Sequence, residues 1–260
     1  MPSIADLRGL WRRSLIEWAD GRRDTTTQVR WLQGIHAFVD LRQPPGVVEP
    51  MHARCLNDLT RRDCALLALQ EGFAGRLSFD GRHFEWARHI DFQPKASRAD
   101  AGSLEWSDDV LVERGRDAPY IEHWHLDAAT GAAPVGATLM RESGKATRAI
   151  LLRVGTQFMY ARDRAAGPPL HGTLSGCVSA AASVEAARAL IDCEISCGRI
   201  AADGFRISAS TLPYKRGQLL EQRILRDTLT LLDVAPDGTA IARVWDIIER
   251  EGEVDHVYIS

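Results

Sequence analysis

Two short runs in the first half of the chain carry the side chains best suited to chemistry. In HFEWARHIDFQP, residues 83–94, the two-residue alternation of a strand puts Phe84, Trp86 and Arg88 on one face and His83, Glu85 and His89 on the other. In YIEHWHLD, residues 120–127, Tyr120, Glu122 and Trp124 share one face, and Ile121, His123 and His125 share the opposite one. If the Trp86 and Trp124 faces turn inward, the result is an aromatic cavity holding one guanidinium and one carboxylate. Arg88 would bind an acid, and Trp86 and Trp124 would stack on a flat ligand. Glu122, desolvated among aromatics, would have a raised pKa and act as general acid or base. Tyr120 would donate to a developing oxyanion. The plainer reading makes Trp124 core and Arg88–Glu122 a buried ion pair.

The other face supports a metal reading. His123 and His125 can chelate from one strand, with His83 or His89 completing a three-nitrogen site. An HxH pair is a weak signal without a fixed third ligand, so outward polar histidines are the expectation. Cys193-x-x-x-Cys197 has no second pair elsewhere and reads as buried thiols. There is no GxSxG elbow and no Gly-rich phosphate loop, so no cofactor is expected. The only lysines, Lys95, Lys145 and Lys215, sit in polar, turn-like contexts, which argues against imine chemistry. His171 reads as a surface loop residue.

These side chains need strands to hold them, and the chain supplies strands twice. EGFAGRLSFDG (71–81) aligns with EISCGRIAADG (194–204) at an offset of 123, matching Glu71 with Glu194, Gly75 with Gly198 and Asp80-Gly81 with Asp203-Gly204. Thr60 meets Ser183 in the same register, each an N-cap ahead of a short helix, and Asp63 gives only the first copy something like a capping box. Turns at Gly34 and Gly155, and the tryptophans Trp124 and Trp245, recur at an offset of 121. The expected organisation is an internal duplication: a lipocalin-like β-barrel over residues 1–127 and a second over 134–260, each antiparallel with one short helix. In the second copy Ile241, Arg243 and Trp245 stand opposite Tyr120, Glu122 and Trp124, with Ala209 and Thr211 near Trp86 and Arg88. A functional cavity is therefore expected in the first half.

The runs LWRRSLIEW…TTTQV, QEGFAG…FEW and Y.E.W resemble an uncharacterised bacterial family that is itself similar to a fungal protein with two lipocalin-like domains. That resemblance implies a calycin-type fold, and it brings no catalytic residues with it.

Bulk properties narrow the partners. The 260 residues carry a formal charge of −3, so no net field favours nucleic acid or an anionic membrane. No continuous apolar run reaches the length of a membrane span, and residues 1–15 lack a secretory h-region, so a cytoplasmic location is expected. The expected function is binding of a small apolar or aromatic ligand, with a carboxylate for Arg88. A cofactor-independent lyase, hydratase or isomerase built on Glu122 and Tyr120, and a scaffold with filled barrels, are the alternatives. Oligomeric state stays open.

Overall fold

A computed structural model describes residues 1–47, 51–165 and 170–253. In the first half, β1 (Gly9–Trp18), a two-residue β2 (Arg23–Asp24), β3 (Gln28–Gln33) and β4 (Ala37–Gln43) lead to helix α1 (Arg61–Leu67). Strands β5 (Glu71–Phe79), β6 (Phe84–Asp91), β7 (Ala101–Ser107), β8 (Val110–Gly115) and β9 (Tyr120–Leu126) follow. They pair antiparallel in the order β1-β3-β4-β5-β6-β7-β8-β9, and β9 returns to β1 along seven residue pairs. The result is a closed eight-stranded barrel, and closure leaves β1 and β9 without a free edge.

The second half runs β10 (Val135–Glu142), β11 (Arg148–Val154), β12 (Gln157–Arg162), helices α2 (Leu174–Ala180) and α3 (Val184–Ile191), then β13 (Glu194–Ala201) and β14 (Gly204–Ser210). It ends with β15 (Gln222–Leu225), β16 (Thr228–Val234) and β17 (Ala240–Gly252). Its eight-stranded sheet keeps the same neighbour order, with β10 joining β11 to β17. Two expectations need correction here. Among the described residues this half has two α-helices, not one, and its sheet is not closed by a ladder. Its edges β14 and β15 are joined through the irregular stretch between them, by an isolated bridge from Arg206 to Leu219 and a bond from Leu220 N–H to the Phe205 carbonyl. Pro213 and Gly217 interrupt that stretch where a full strand would otherwise complete the ring.

The helix starts follow from their caps. Thr60 Oγ1 accepts from Asp63 N–H while the Asp63 carboxylate accepts from Thr60 N–H, and Ser183 Oγ accepts from Ala186 N–H with no return bond.

Three apolar clusters fill the molecule. One occupies the first barrel, from Trp11, Trp31, Phe38, Phe84, Trp86 and Trp124. A second lies inside the other sheet around Phe158, Phe205 and Trp245. The third joins the halves: Leu32, Val39 and Leu41 on the outside of β3 and β4 meet Ile150, Leu152 and Ile195 of the second sheet, with α1, α2 and α3 against them. Strand β4 is therefore buried on both faces, which explains why AFVDLRQ does not alternate cleanly between apolar and polar.

Candidate functional site

Each lumen-facing side chain is placed by pleat and by bulge. On β6, Phe84, Trp86 and Arg88 share one face, as the alternation predicts, and that face points inward. The ladder then slips, because Gly75 pairs with Arg88 and Ala74 with Ile90, leaving His89 as the extra residue. Past the bulge the phase inverts: Ile90 joins the cluster between the halves, and Asp91 reaches back to Arg88, Oδ2 to Nη1 at 3.3 Å. A bulge on β1 between Arg13 and Leu15 likewise brings Trp11 and Arg13 on one side, and Ile16 and Trp18 on the other, onto the inner face.

The barrel has an aromatic floor and a charged mouth. Trp11, Trp31, Trp86 and Trp124 stack and cross with ring centroids 5.4–5.8 Å apart. Above them opens a cavity of about 320 Å³, walled by Arg13, Trp18, Asp24, Arg42, Glu71, Arg88, Asp100, Tyr120 and Glu122 among others. Arg88 and Glu122 both line it but do not pair with each other. Glu122, with 2% of its side chain exposed, accepts from Arg13 at 2.5 Å and from Arg42 at 3.3 Å. Arg88 holds Asp100 at 2.6 Å, and its guanidinium carbon lies 3.5 Å from the Phe73 ring centroid. Arg42 also binds Asp40 at 2.8 Å. Burial pushes the Asp40 and Asp91 carboxyls up to about 6 in spite of these guanidiniums.

Tyr120 and Trp124 converge on a residue that the sequence reading passed over. The Tyr120 hydroxyl lies 2.7 Å from Glu113 Oε1, and Trp124 Nε1–H donates to Glu113 Oε2 at 3.1 Å. Burial, with Glu122 nearby, raises the Glu113 carboxyl well above its ordinary value. Burial beside the same acids also raises the Tyr120 phenol, which stays a hydrogen-bonding hydroxyl. Glu113 is thus held by two hydrogen-bond donors at the floor, while Glu122 is clamped between two guanidiniums. Arg13, Asp40, Arg42 and Glu113 were legible in principle: each shares a strand face with an inward aromatic or leucine (Trp11, Phe38, Leu111).

The histidines point away from the lumen. His125 Nε2 meets Ser14 Oγ at 2.9 Å on the exposed outer face, and His83 lies 3.9 Å from Asp80. Burial and the nearby Arg148 and Arg76 hold His89 below its ordinary value. Among the described residues no three His, Cys, Asp or Glu side chains gather as metal ligands. Cys193 and Cys197 are buried free thiols, and burial pushes Cys193 up to about 12. Lys215 lies in a polar turn but is buried there, ion-paired to Asp233 and Glu194, which hold its ammonium above the ordinary value.

The same strands in the second half hold a different interior. Sheet register makes Phe205 and Ile207, not Ala209 and Thr211, the counterparts of Trp86 and Arg88, because Leu77 faces Trp86 as Ile200 faces Phe205. The β13–β14 hairpin is shorter than the β5–β6 one, so a constant offset fails beyond the turn. Leu231 pairs with Arg243 where Glu113 pairs with Glu122. One ion pair persists with its signs exchanged: Arg13 and Glu122 flank Trp124 in the first half, and Glu142 and Arg243, 3.2 Å apart, flank Trp245 in the second.

No protein-family model matches this chain, and no curated protein sequence matches it. Among solved structures it is similar to YLR301w, an uncharacterised protein of Saccharomyces cerevisiae, at 9% identity and a TM-score of 0.54, over 93% of this chain and 98% of that one. The likeness is one of fold.

Proposed function

We propose that the first barrel is a receptor for a small polar molecule carrying both an acidic group and a hydrogen-bond donor. The observation that carries this reading is the 320 Å³ cavity, set on a filled aromatic floor and ringed by Arg13, Arg42 and Arg88 interleaved with Asp24, Glu71, Asp100 and Glu122. Paired guanidiniums are pre-oriented to exchange a carboxylate partner for a ligand oxyanion. The mixed polarity favours a zwitterion or hydroxy acid over the apolar or aromatic ligand that the sequence suggests. The fold is read as a tandem pair of calycin-like barrels descended from one duplicated unit over residues 1–127 and 134–260, with the second interior filled. Five free cysteines fit a reducing, cytoplasmic setting.

Trp18 on the cavity wall provides a reporter. Titration with amino acids and hydroxy acids is expected to give a saturable fluorescence change that Arg88→Ala abolishes. No saturable response from either compound class would leave the scaffold reading in place. A second reading, cofactor-independent proton transfer, is favoured by the Glu113–Tyr120 pair at the cavity floor. It predicts turnover of the bound compound, lost in Tyr120→Phe with binding retained.

A further inference from the structure

We infer that the groove between the two halves is a second ligand site, shaped for a small organic oxyanion bearing phosphate or carboxylate groups. The groove is formed where the outer faces of β1 and β3 diverge from β13 and β14. It comprises two neighbouring spaces, of about 660 Å³ and about 160 Å³, that share Arg30 and Ser208 in their walls. Its size suits a metabolite, and an interface between domains is a common place for one.

Its charge distinguishes it from the barrel cavity. Arg12, Arg30, Arg54, Arg199 and Arg216 line the two spaces, and among the described residues the only carboxylate lining either is Asp127, whose Oδ1 is taken by the Ala129 N–H of its own turn. In the barrel every lining arginine holds a carboxylate. Here, among the described residues, Arg12, Arg30 and Arg199 have none within 4.0 Å, and Arg54 has only the exposed Asp58 at 3.8 Å. Arg12 and Arg30 are moreover directly opposed on β1 and β3, a like-charge pair that costs stability unless an anion lies between them.

Among the described residues, two buried polar atoms at the wall lack partners. Arg30 Nη1 has no acceptor, although its Nη2 reaches Gln28, and Gln43 Oε1 receives no donor although Gln43 is 97% buried (3% exposed). A ligand that offers oxyanion oxygens to the guanidiniums and an N–H or O–H to the Gln43 side would meet both. The small volume and the chain's net charge of −3 favour a compact anion over a nucleic-acid strand.

Calorimetric titration of the full chain with pyrophosphate and with tricarballylate, which lacks the hydroxyl or amine proposed for the barrel ligand, tests this. The expected result is saturable one-site binding of at least one probe, weakening as ionic strength rises. Arg30→Gln, and separately the exposed Arg199→Gln, should each weaken it about tenfold, the loss of one charge-assisted hydrogen bond. Arg88→Ala in the barrel should leave it unchanged, which separates this site from the receptor reading above. Absence of saturable heat from both probes overturns the inference. So does binding that survives Arg30→Gln and Arg199→Gln, or that Arg88→Ala removes. Tighter binding of a single-stranded oligonucleotide than of either probe would also overturn it, in favour of a polyanion track.

Discussion

At the mouth of the first barrel, Glu122 accepts from two guanidiniums while only 2% of its side chain meets solvent. Removing one partner of such a group strands the other in low dielectric. Glu122→Gln leaves Arg13, 6% exposed, with only the 3.4 Å contact to Asp24, and is expected to cost about 3 kcal/mol in chemical denaturation. Asp40 makes a separate, pH-dependent contribution. Folded, it keeps its proton up to about 6, and unfolded it releases it near 3.8. Between those values the native state binds more protons than the unfolded one, so stability is full below the lower value and falls as pH rises through the upper. Asp91 acts in the same direction, whereas Asp24, held well below the ordinary carboxylate value, acts below this window. Comparison of wild type with Asp40→Asn across the window should show the wild type losing up to ~3 kcal/mol relative to the variant. A pH-independent difference would mean that Asp40 is ionised throughout.

The elements carry their own constraints, and the β5–β6 and β13–β14 pairs show them twice. Each has a bulge just before a glycine, at Ala74/Gly75 and Cys197/Gly198. A Cβ on Gly75 would collide with the Ala87 carbonyl oxygen, and one on Gly198 with that of Arg206. Those glycines recur because the bulged backbone passes too close for any side chain. Gly75→Ala and Gly198→Ala should each destabilise by at least about 2 kcal/mol, read from thermal or chemical unfolding. Gly81→Ala tests the contrast: nothing lies within 4 Å of its Cβ position, and its cost comes from a φ of +96° alone. At the start of α1, Thr60→Ala removes both the acceptor for Asp63 N–H and a hydroxyl donor to its carboxylate, with an expected loss of about 1 kcal/mol.

For the molecule as a whole, the cluster between the halves decides whether they behave as separate domains. It is a single buried apolar cluster, and polar bonds cross it as well. Glu251 accepts from His36 and Ala37 N–H, Gln70 donates to the Thr211 carbonyl, and Arg164 donates to the Phe92 carbonyl. The consequence is one cooperative unfolding transition. Leu32→Ala or Leu152→Ala, one from each side, should lower stability by about 2–5 kcal/mol while keeping a single transition by calorimetry. Two resolved transitions, only one of them displaced, would show that the halves are energetically independent.

How much was legible follows from which distances each feature spans. Alternation along single strands put Trp86 with Arg88, and Tyr120 with Glu122 and Trp124, on shared faces, because the pleat is a local property of two-residue period, but which face turned inward was decided by the barrel. Caps at Thr60 and Ser183 were local too. Partner choice was not. Arg88 and Glu122 are the obvious pair in sequence, yet the barrel brings Asp100 to one and Arg13 and Arg42 to the other, since which charges meet depends on ladder order and on bulges that invert the phase. The buried role of Glu113 also needed β8 set beside β9. The groove between the halves left no trace in the sequence, because its arginines come from strands nearly 200 positions apart, Arg12 to Arg199, and only tertiary packing turns a scattered set of surface charges into one concave wall.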